Sequence, residues 1–171
     1  MEIQQIYLKA FNNLDKFYYD HQKEEDFYSF IPCDIEDFLN ALVQTIDILG
    51  EDKTKKFLDV GCGIGTKMLL ASSVFDVYGI EMRNKYIQVA KNLGLEQIFE
   101  LNALDFCDYS NFDVIYFFTP IRNKELEQQL ETKIYIDAKE GAIIIPFGKK
   151  LNWDELPNVE KSGDLYVKRH K

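Results

Sequence analysis

The stretch Lys56-Phe57-Leu58-Asp59-Val60-Gly61-Cys62-Gly63-Ile64-Gly65-Thr66 constrains this chain more than any other. A short apolar run ends near an acidic residue, three glycines follow at every second position, and helix-forming sequence resumes behind them. Alternating glycines after a buried strand let the backbone turn sharply and keep side chains out of the space between the turn and a ligand. The start of the following helix offers unpaired N–H groups to negative charge or lone pairs. Such a turn commits the chain to a strand–turn–helix unit, and the remaining sequence must supply the sheet around it.

It does so by alternation. Phe57–Val60 reads as the first strand, and Ile64, Met68, Ala71 and Phe75 follow at helical spacing. Asp76–Ile80 is a second strand ending at Glu81, and Asn84 is placed to cap the next helix, whose Tyr86, Ile87, Ala90 and Leu93 face inward until Gly94. Gln97–Leu101 is a third strand, followed by Asn102-Ala103-Leu104-Asp105. Phe112–Phe118 is apolar enough to be buried on both faces and stops at Thr119-Pro120. Asn123 begins a helix carrying Leu126, Leu130 and Ile134, and Ala142–Ile145 is a fifth strand after Gly141. Ser162-Gly163-Asp164 between two short strand patterns reads as a hairpin. The expectation is an α/β fold: a doubly wound, mostly parallel seven-stranded sheet with an antiparallel C-terminal hairpin strand, preceded by N-terminal helices.

Ahead of the glycine turn, residues 3 to 18 carry one apolar stripe, from Ile3, Ile6 and Tyr7 through Ala10, Phe11 and Leu14 to Phe17 and Tyr18. Asp20–Asp26 has no periodicity and reads as a loop, and Phe27-Tyr28-Ser29-Phe30-Ile31-Pro32 is an aromatic patch closed by proline. Asp34 is a good N-cap for a second helix with Ile35, Phe38, Leu39, Leu42, Val43, Ile46 and Leu49 on its apolar side, and Gly50 ends it. Residues 1–50 thus form a helical preface or lid, and residues 51–171 the sheet domain.

With 20 basic against 29 acidic residues the formal charge is −9, which disfavours a nucleic-acid partner. Cys33, Cys62 and Cys107 stand far apart with no CxxC pair or Cys/His cluster, so neither a disulfide framework nor a metal site is expected. No run reaches the roughly 18 apolar residues of a membrane span, and the N-terminus lacks a basic-then-apolar signal pattern. The expectation is a soluble, cytoplasmic protein. Ten tyrosines and thirteen phenylalanines must pack or line a pocket. His21 and His170 stand in polar surroundings and read as surface residues.

In a doubly wound sheet ligands sit at the carboxyl ends of the strands, where the strand order reverses. The glycines, Glu81, the Asn102–Asp105 segment and Phe118-Thr119-Pro120 occupy those ends. An acid after the second strand can accept hydrogen bonds from both ribose hydroxyls, and polar groups after the third can read an adenine edge. The spacing Gly61-x-Gly63-x-Gly65 departs from the G-x-G-x-x-G of dinucleotide sites, and no P-loop Lys-Ser/Thr follows.

The run Leu58 to Gly65, with Glu81 and Asn102-Ala103 behind it, resembles the class I, seven-β-strand S-adenosylmethionine-dependent methyltransferases over roughly residues 30 to 171. The resemblance implies S-adenosylmethionine as cofactor. Asp59, Gly61, Cys62, Gly63 and Gly65 would lie against its methionine part and ribose, and Glu81 would hold the ribose. Met82 would pack on the adenine, Asn102 with Ala103 or Leu104 would read its edge, and Phe118 would border the site. Family members often carry aspartate at the position of Asn102, so Asp105 is an alternative reader. Cys62 reads as a small spacer presenting its backbone, and Asp59 alone would equally serve as a helix cap.

Methyl transfer from a sulfonium needs alignment first and a base only for a protonated nucleophile, and the sequence shows no catalytic dyad. Relatives that methylate exocyclic amines of nucleobases or glutamine carry Asn or Asp, then Pro-Pro-aromatic after the fourth strand. Phe118-Thr119-Pro120-Ile121 stands there instead. A short aromatic-proline segment before the second helix resembles seven-strand protein-lysine methyltransferases, and aromatic rings suit a cationic lysine. Tyr7, Tyr18, Tyr19, Phe27, Tyr28 and Phe30 are the candidate rings, with plain packing as the alternative. The expected acceptor is a protein side chain, a lysine. The alternatives are a small-molecule acceptor, or a non-catalytic cofactor-binding partner protein.

Overall fold

The computed structural model describes residues 3–18 and 33–170. The expected loop at 20–26, His21 and the aromatic patch at 27–32 lie outside the described residues. Helix α1 spans Ile3–Tyr18, the whole predicted stripe. Helix α2 spans Ile35–Leu49, with the Asp34 carboxylate accepting from the Glu36 N–H at its start and Gly50 at φ +77° at its end. Gly50 takes a positive φ that residues with a side chain rarely adopt, and its N–H donates to the Ile46 carbonyl, so both predicted caps act as caps.

Strand β1 (Lys56–Val60) leads through the glycine turn into α3 (Thr66–Ala71). Then come β2 (Asp76–Glu81), α4 (Asn84–Asn92), β3 (Ile98–Glu100), β4 (Val114–Phe118), α5 (Lys124–Asp137), β5 (Ile143–Phe147), β6 (Val159–Ser162) and β7 (Leu165–Lys168). The seven strands are ordered β3-β2-β1-β4-β5-β7-β6. Strands β1 to β5 run parallel, while β7 is antiparallel to both β5 and β6. This is the doubly wound sheet with an antiparallel C-terminal strand that the pattern called for. The order reverses between β1 and β4, so the switch point lies at the end of the strand that carries the glycines.

Strand alternation sorts the core into two layers. Phe57, Val114, Tyr116, Ile143 and Ile145 face α2 and α3, where Phe38, Ala41, Met68 and Ala71 are buried. Leu58, Ile115, Phe117 and Ile144 face α5 and the segment before β4, with Leu130, Ile134, Phe106 and Trp153.

Several boundaries differ from the sequence reading. Helix α3 stops at Ala71 and Phe75 packs from the turn beyond it, because a six-residue helix is enough to bury Met68 and Ala71. Arg83, not Asn84, is the residue before α4, and its side chain makes no cap. Strand β3 keeps only three residues, and β4 begins at Val114 because Asp113 turns its carboxylate to the Lys56 N–H, 2.8 Å. Two short 3-10 turns, Ala103–Asp105 and Tyr109–Asn111, stand between β3 and β4, and a third, Trp153–Glu155, stands between β5 and β6. Those connections carry too few residues in a helical pattern to form crossover helices.

Among the described residues no helix is long and apolar enough to cross a membrane, and no cluster of His, Cys, Asp or Glu is placed to hold a metal. Cys33 and Cys62 are buried and Cys107 exposed, all as free thiols. His170 is exposed and pairs with Glu140 at 2.8 Å, a surface contact the sequence did not suggest.

Candidate functional site

The site is assembled from the ends of β1, β2 and β4. Gly61, Gly63 and Gly65 have φ of +79°, +55° and +80°, a left-handed backbone that side chains rarely adopt. The glycines serve packing as well as turning. A Cβ on Gly61 would lie 2.7 Å from Cβ of Pro120, and one on Gly65 would lie 2.4 Å from the end of Leu95. The first glycine therefore admits the loop after β4, and the third admits the segment entering β3. The expectation that all three keep space for a ligand is narrowed to that extent.

Glu81 is buried at the end of β2 and ties the glycine turn to its own strand. One carboxylate oxygen accepts from the Gly63 N–H at 3.0 Å and the other from the Arg83 N–H at 2.8 Å. Burial raises its carboxyl above the ordinary value, against the pull of those backbone N–H groups. A carboxylate has about four lone-pair positions, and the backbone N–H groups of Gly63, Arg83 and Met82 all act on this one. Met82, beside it, is 43% exposed, an apolar surface at the rim.

Asn102 accepts from the Leu104 N–H at 3.0 Å and so caps its own 3-10 turn. That use engages its side-chain oxygen and the Leu104 N–H, and leaves the Asn102 amide nitrogen as the group the cap does not engage. Ala103 is buried beneath it and Asp105 is exposed.

Asp59 is 3% exposed in β1, and burial pushes its carboxyl up to about 7, with Lys67 pulling it down and Glu81 and Asp15 pushing it further up. Cys62 turns its sulfur into the core, where a Cβ on Gly79 would come within 2.6 Å of it. Burial holds that thiol well above its usual range, which disfavours the thiolate form a nucleophile needs.

Five residues to which the sequence reading gave no site role complete the cluster: Asp15, Cys33, Thr66, Lys67 and Tyr116. Asp15, on α1, is fully buried and accepts from Thr66 Oγ1 at 2.6 Å and from the Lys67 ammonium. Lys67 also donates to the Cys33 carbonyl at 3.2 Å. The Tyr116 hydroxyl is buried beside the Cys33 thiol without a well-formed hydrogen bond. A signal for Asp15 was present: it stands four residues after Phe11, on the apolar stripe, where a carboxylate needs a partner.

A cavity of about 30 Å³ lies among Asp59, Thr66, Lys67, Tyr116, Cys33 and Phe118. Cys33 and Phe118 also line a larger groove of about 780 Å³. Asp34, Asp37 and Asp164 border that groove together with Lys149, Lys150, Lys161 and Tyr166. Two α5 carboxylates brace its loops: Glu127 accepts from the Ile121 N–H at 2.9 Å, and Glu131 accepts from the N–H groups of Lys150 and Leu151 and from the Trp153 indole. Thr119 at the end of β4 has φ +41°, a conformation costing a β-branched residue about 1–3 kcal/mol, and its hydroxyl donates to the Gly148 carbonyl at 3.3 Å.

No protein-family model and no curated protein matches this sequence. Solved structures do resemble it. The RNA methyltransferase of Salinibacter ruber, in complex with S-adenosyl-L-homocysteine, superposes with a TM-score of 0.54 at 15% identity, covering 81% of this chain and 91% of that one. CalS10, an amino pentose methyltransferase of Micromonospora echinaspora bound to S-adenosylmethionine, gives 0.57 at 16% identity, covering 79% and 58%. The Haemonchus contortus phosphoethanolamine N-methyltransferase 2, in complex with phosphomonomethylethanolamine and S-adenosylhomocysteine, gives 0.52 at 19% identity, covering 70% and 30%. The chain thus corresponds to only part of the latter two proteins. Its fold is that of the class I S-adenosylmethionine-dependent methyltransferases.

Proposed function

We propose that this chain binds S-adenosylmethionine and transfers its methyl group to an amine, with a protein lysine side chain as acceptor. The observation that carries the reading is the buried Glu81 at the end of β2, bonded to the Gly63 N–H of the glycine turn at the switch point. In this reading Glu81 takes the ribose hydroxyls, Met82 covers one face of the adenine and the Asn102 amide meets its edge. Asp59 faces the amino-acid end, where a cationic group would favour its ionised form. When bound, the cofactor supplies an electrophilic methyl on a sulfonium. The chain's own work is to align an acceptor and keep water away.

The groove that shares Cys33 and Phe118 with the small cavity as lining is the proposed acceptor site. Asp34, Asp37 and Asp164 suit an ammonium group, and Phe118, Phe147 and Tyr166 offer ring surface. A second reading has an observation of its own: Lys149, Lys150 and Lys161 line the same groove and would repel a strongly basic peptide. They favour a small amine that also carries an anionic group. A non-catalytic cofactor-binding role is the remaining alternative.

Incubation with methyl-labelled S-adenosylmethionine, lysate protein and a small-molecule extract separates these readings. Label on protein, lost when lysines are blocked beforehand, supports the lysine acceptor. Label confined to the extract supports the small amine. Cofactor binding with no transfer to either points to the non-catalytic role, and absence of binding refutes the cofactor reading itself.

A further inference from the structure

Helix α1 is attached to the sheet domain in an unusual way. From Leu8 to Tyr18, the only buried side chain is a charged one, Asp15, while Ala10 is exposed, Phe11 and Leu14 are half-buried, and Phe17 is 79% exposed. An amphipathic helix normally docks through its apolar stripe. Over Leu8–Tyr18 the fully buried contact is instead a carboxylate inserted beside the glycine turn, onto the hydroxyl of Thr66 and the ammonium of Lys67.

Lys67 is itself buried, and its neighbours are Asp15, the Cys33 carbonyl and, through charge, Asp59. Burying an ammonium is costly unless it is paired, so Lys67 requires an anion in this position. Asp15 satisfies that requirement, but the same donors, a hydroxyl and an ammonium beside the turn, suit any carboxylate. The free space left among Asp59, Thr66, Lys67 and Tyr116 is about 30 Å³, room for about two waters. A ligand carboxylate that is to reach Thr66 and Lys67 has to take the place of the Asp15 carboxylate.

We infer that α1 is an autoinhibitory lid: Asp15 occupies the Thr66–Lys67 position that the carboxylate of an amino-acid-bearing nucleoside needs, and α1 is displaced when such a ligand binds. The inference rests on the cofactor reading above. The exchange keeps the buried charge balanced, since one carboxylate leaves Lys67 as another arrives. It also makes the cost of opening a property of α1, so anything that holds α1 down weakens binding.

The test compares S-adenosylhomocysteine with methylthioadenosine, which shares the nucleoside but lacks the amino-acid end. Calorimetry on Asp15→Asn is expected to show S-adenosylhomocysteine binding about tenfold or more tighter than to the unaltered chain, with methylthioadenosine changed by less than about twofold. Unchanged or weaker S-adenosylhomocysteine binding to the variant overturns the inference. Hydrogen exchange on the unaltered chain decides the matter independently of how well the variant folds. Protection across Ile3–Tyr18 should fall on adding S-adenosylhomocysteine and hold on adding methylthioadenosine, and increased protection with S-adenosylhomocysteine is the contrary result. If neither compound binds the unaltered chain or the variant, the cofactor reading fails and the lid falls with it; if methylthioadenosine binds and only the Asp15 effects are missing, the lid alone fails.

Discussion

Glu127 shows what a single buried carboxyl does in this molecule. It is fully buried on α5, with one oxygen on the Ile121 N–H and the other without a partner. Burial first, and then the neighbouring Glu131, push its carboxyl from 4.5 up to about 8. A native state that holds the proton more tightly than the unfolded chain loses stability as pH rises, so the loss runs from about 4.5 to about 8 and is complete above that window. Glu127→Gln imitates the protonated form. It should raise the melting temperature above about pH 8, by the equivalent of about 1–3 kcal/mol, and change little near pH 4. Parallel melts across pH would check this; an equal effect at both ends would disprove it. None of this was legible in the sequence, because Glu127 follows ordinary helix spacing and only its neighbours in space remove it from water.

At the scale of elements, the glycine turn is where local and distant requirements meet. Its left-handed backbone is a local demand, visible in the spacing of Gly61, Gly63 and Gly65. The contact between Gly61 and Pro120 joins residues far apart in the chain, and no local pattern announces it. Gly61→Ala combines a strained φ of +79° with a 2.7 Å approach to Pro120, and should destabilise the chain by about 2–4 kcal/mol. Denaturant titration should show the midpoint falling without a change in slope. The element boundaries divide in the same way. Asp34, Gly50 and Asn123 cap as expected because a cap is made within a few residues. The ends of α3 and β4 moved because packing and the Asp113 carboxylate decide them.

For the whole molecule, the ligand reading carries a global consequence. A ligand that binds only the folded chain, present at about 100 times its Kd, adds about 2.7 kcal/mol to stability. For a chain of this length that is a rise of about 5–10 °C in Tm. Thermal melts with S-adenosylhomocysteine should show that rise, and an unmoved Tm at saturating concentration would contradict binding. The seven-stranded order was legible as a class because alternating strand and helix patterns, right-handed crossovers and a terminal hairpin leave few topologies.

The sequence by itself determined the strand–turn–helix unit, the parallel sheet with its antiparallel strand β7, and the positions of Asp59, Glu81 and Asn102 at strand ends. Periodicity, caps and glycine spacing are written within a few residues, and the physics that reads them is equally local. Only the tertiary structure decided that Gly61 makes room for Pro120, that Cys62 turns away into the core, and that Asp15 from α1 closes on Thr66 and Lys67. Those outcomes depend on which charges and volumes meet after the sheet has closed. A buried ammonium takes whatever carboxylate the fold brings to it, and the spacing of neither residue announces the other.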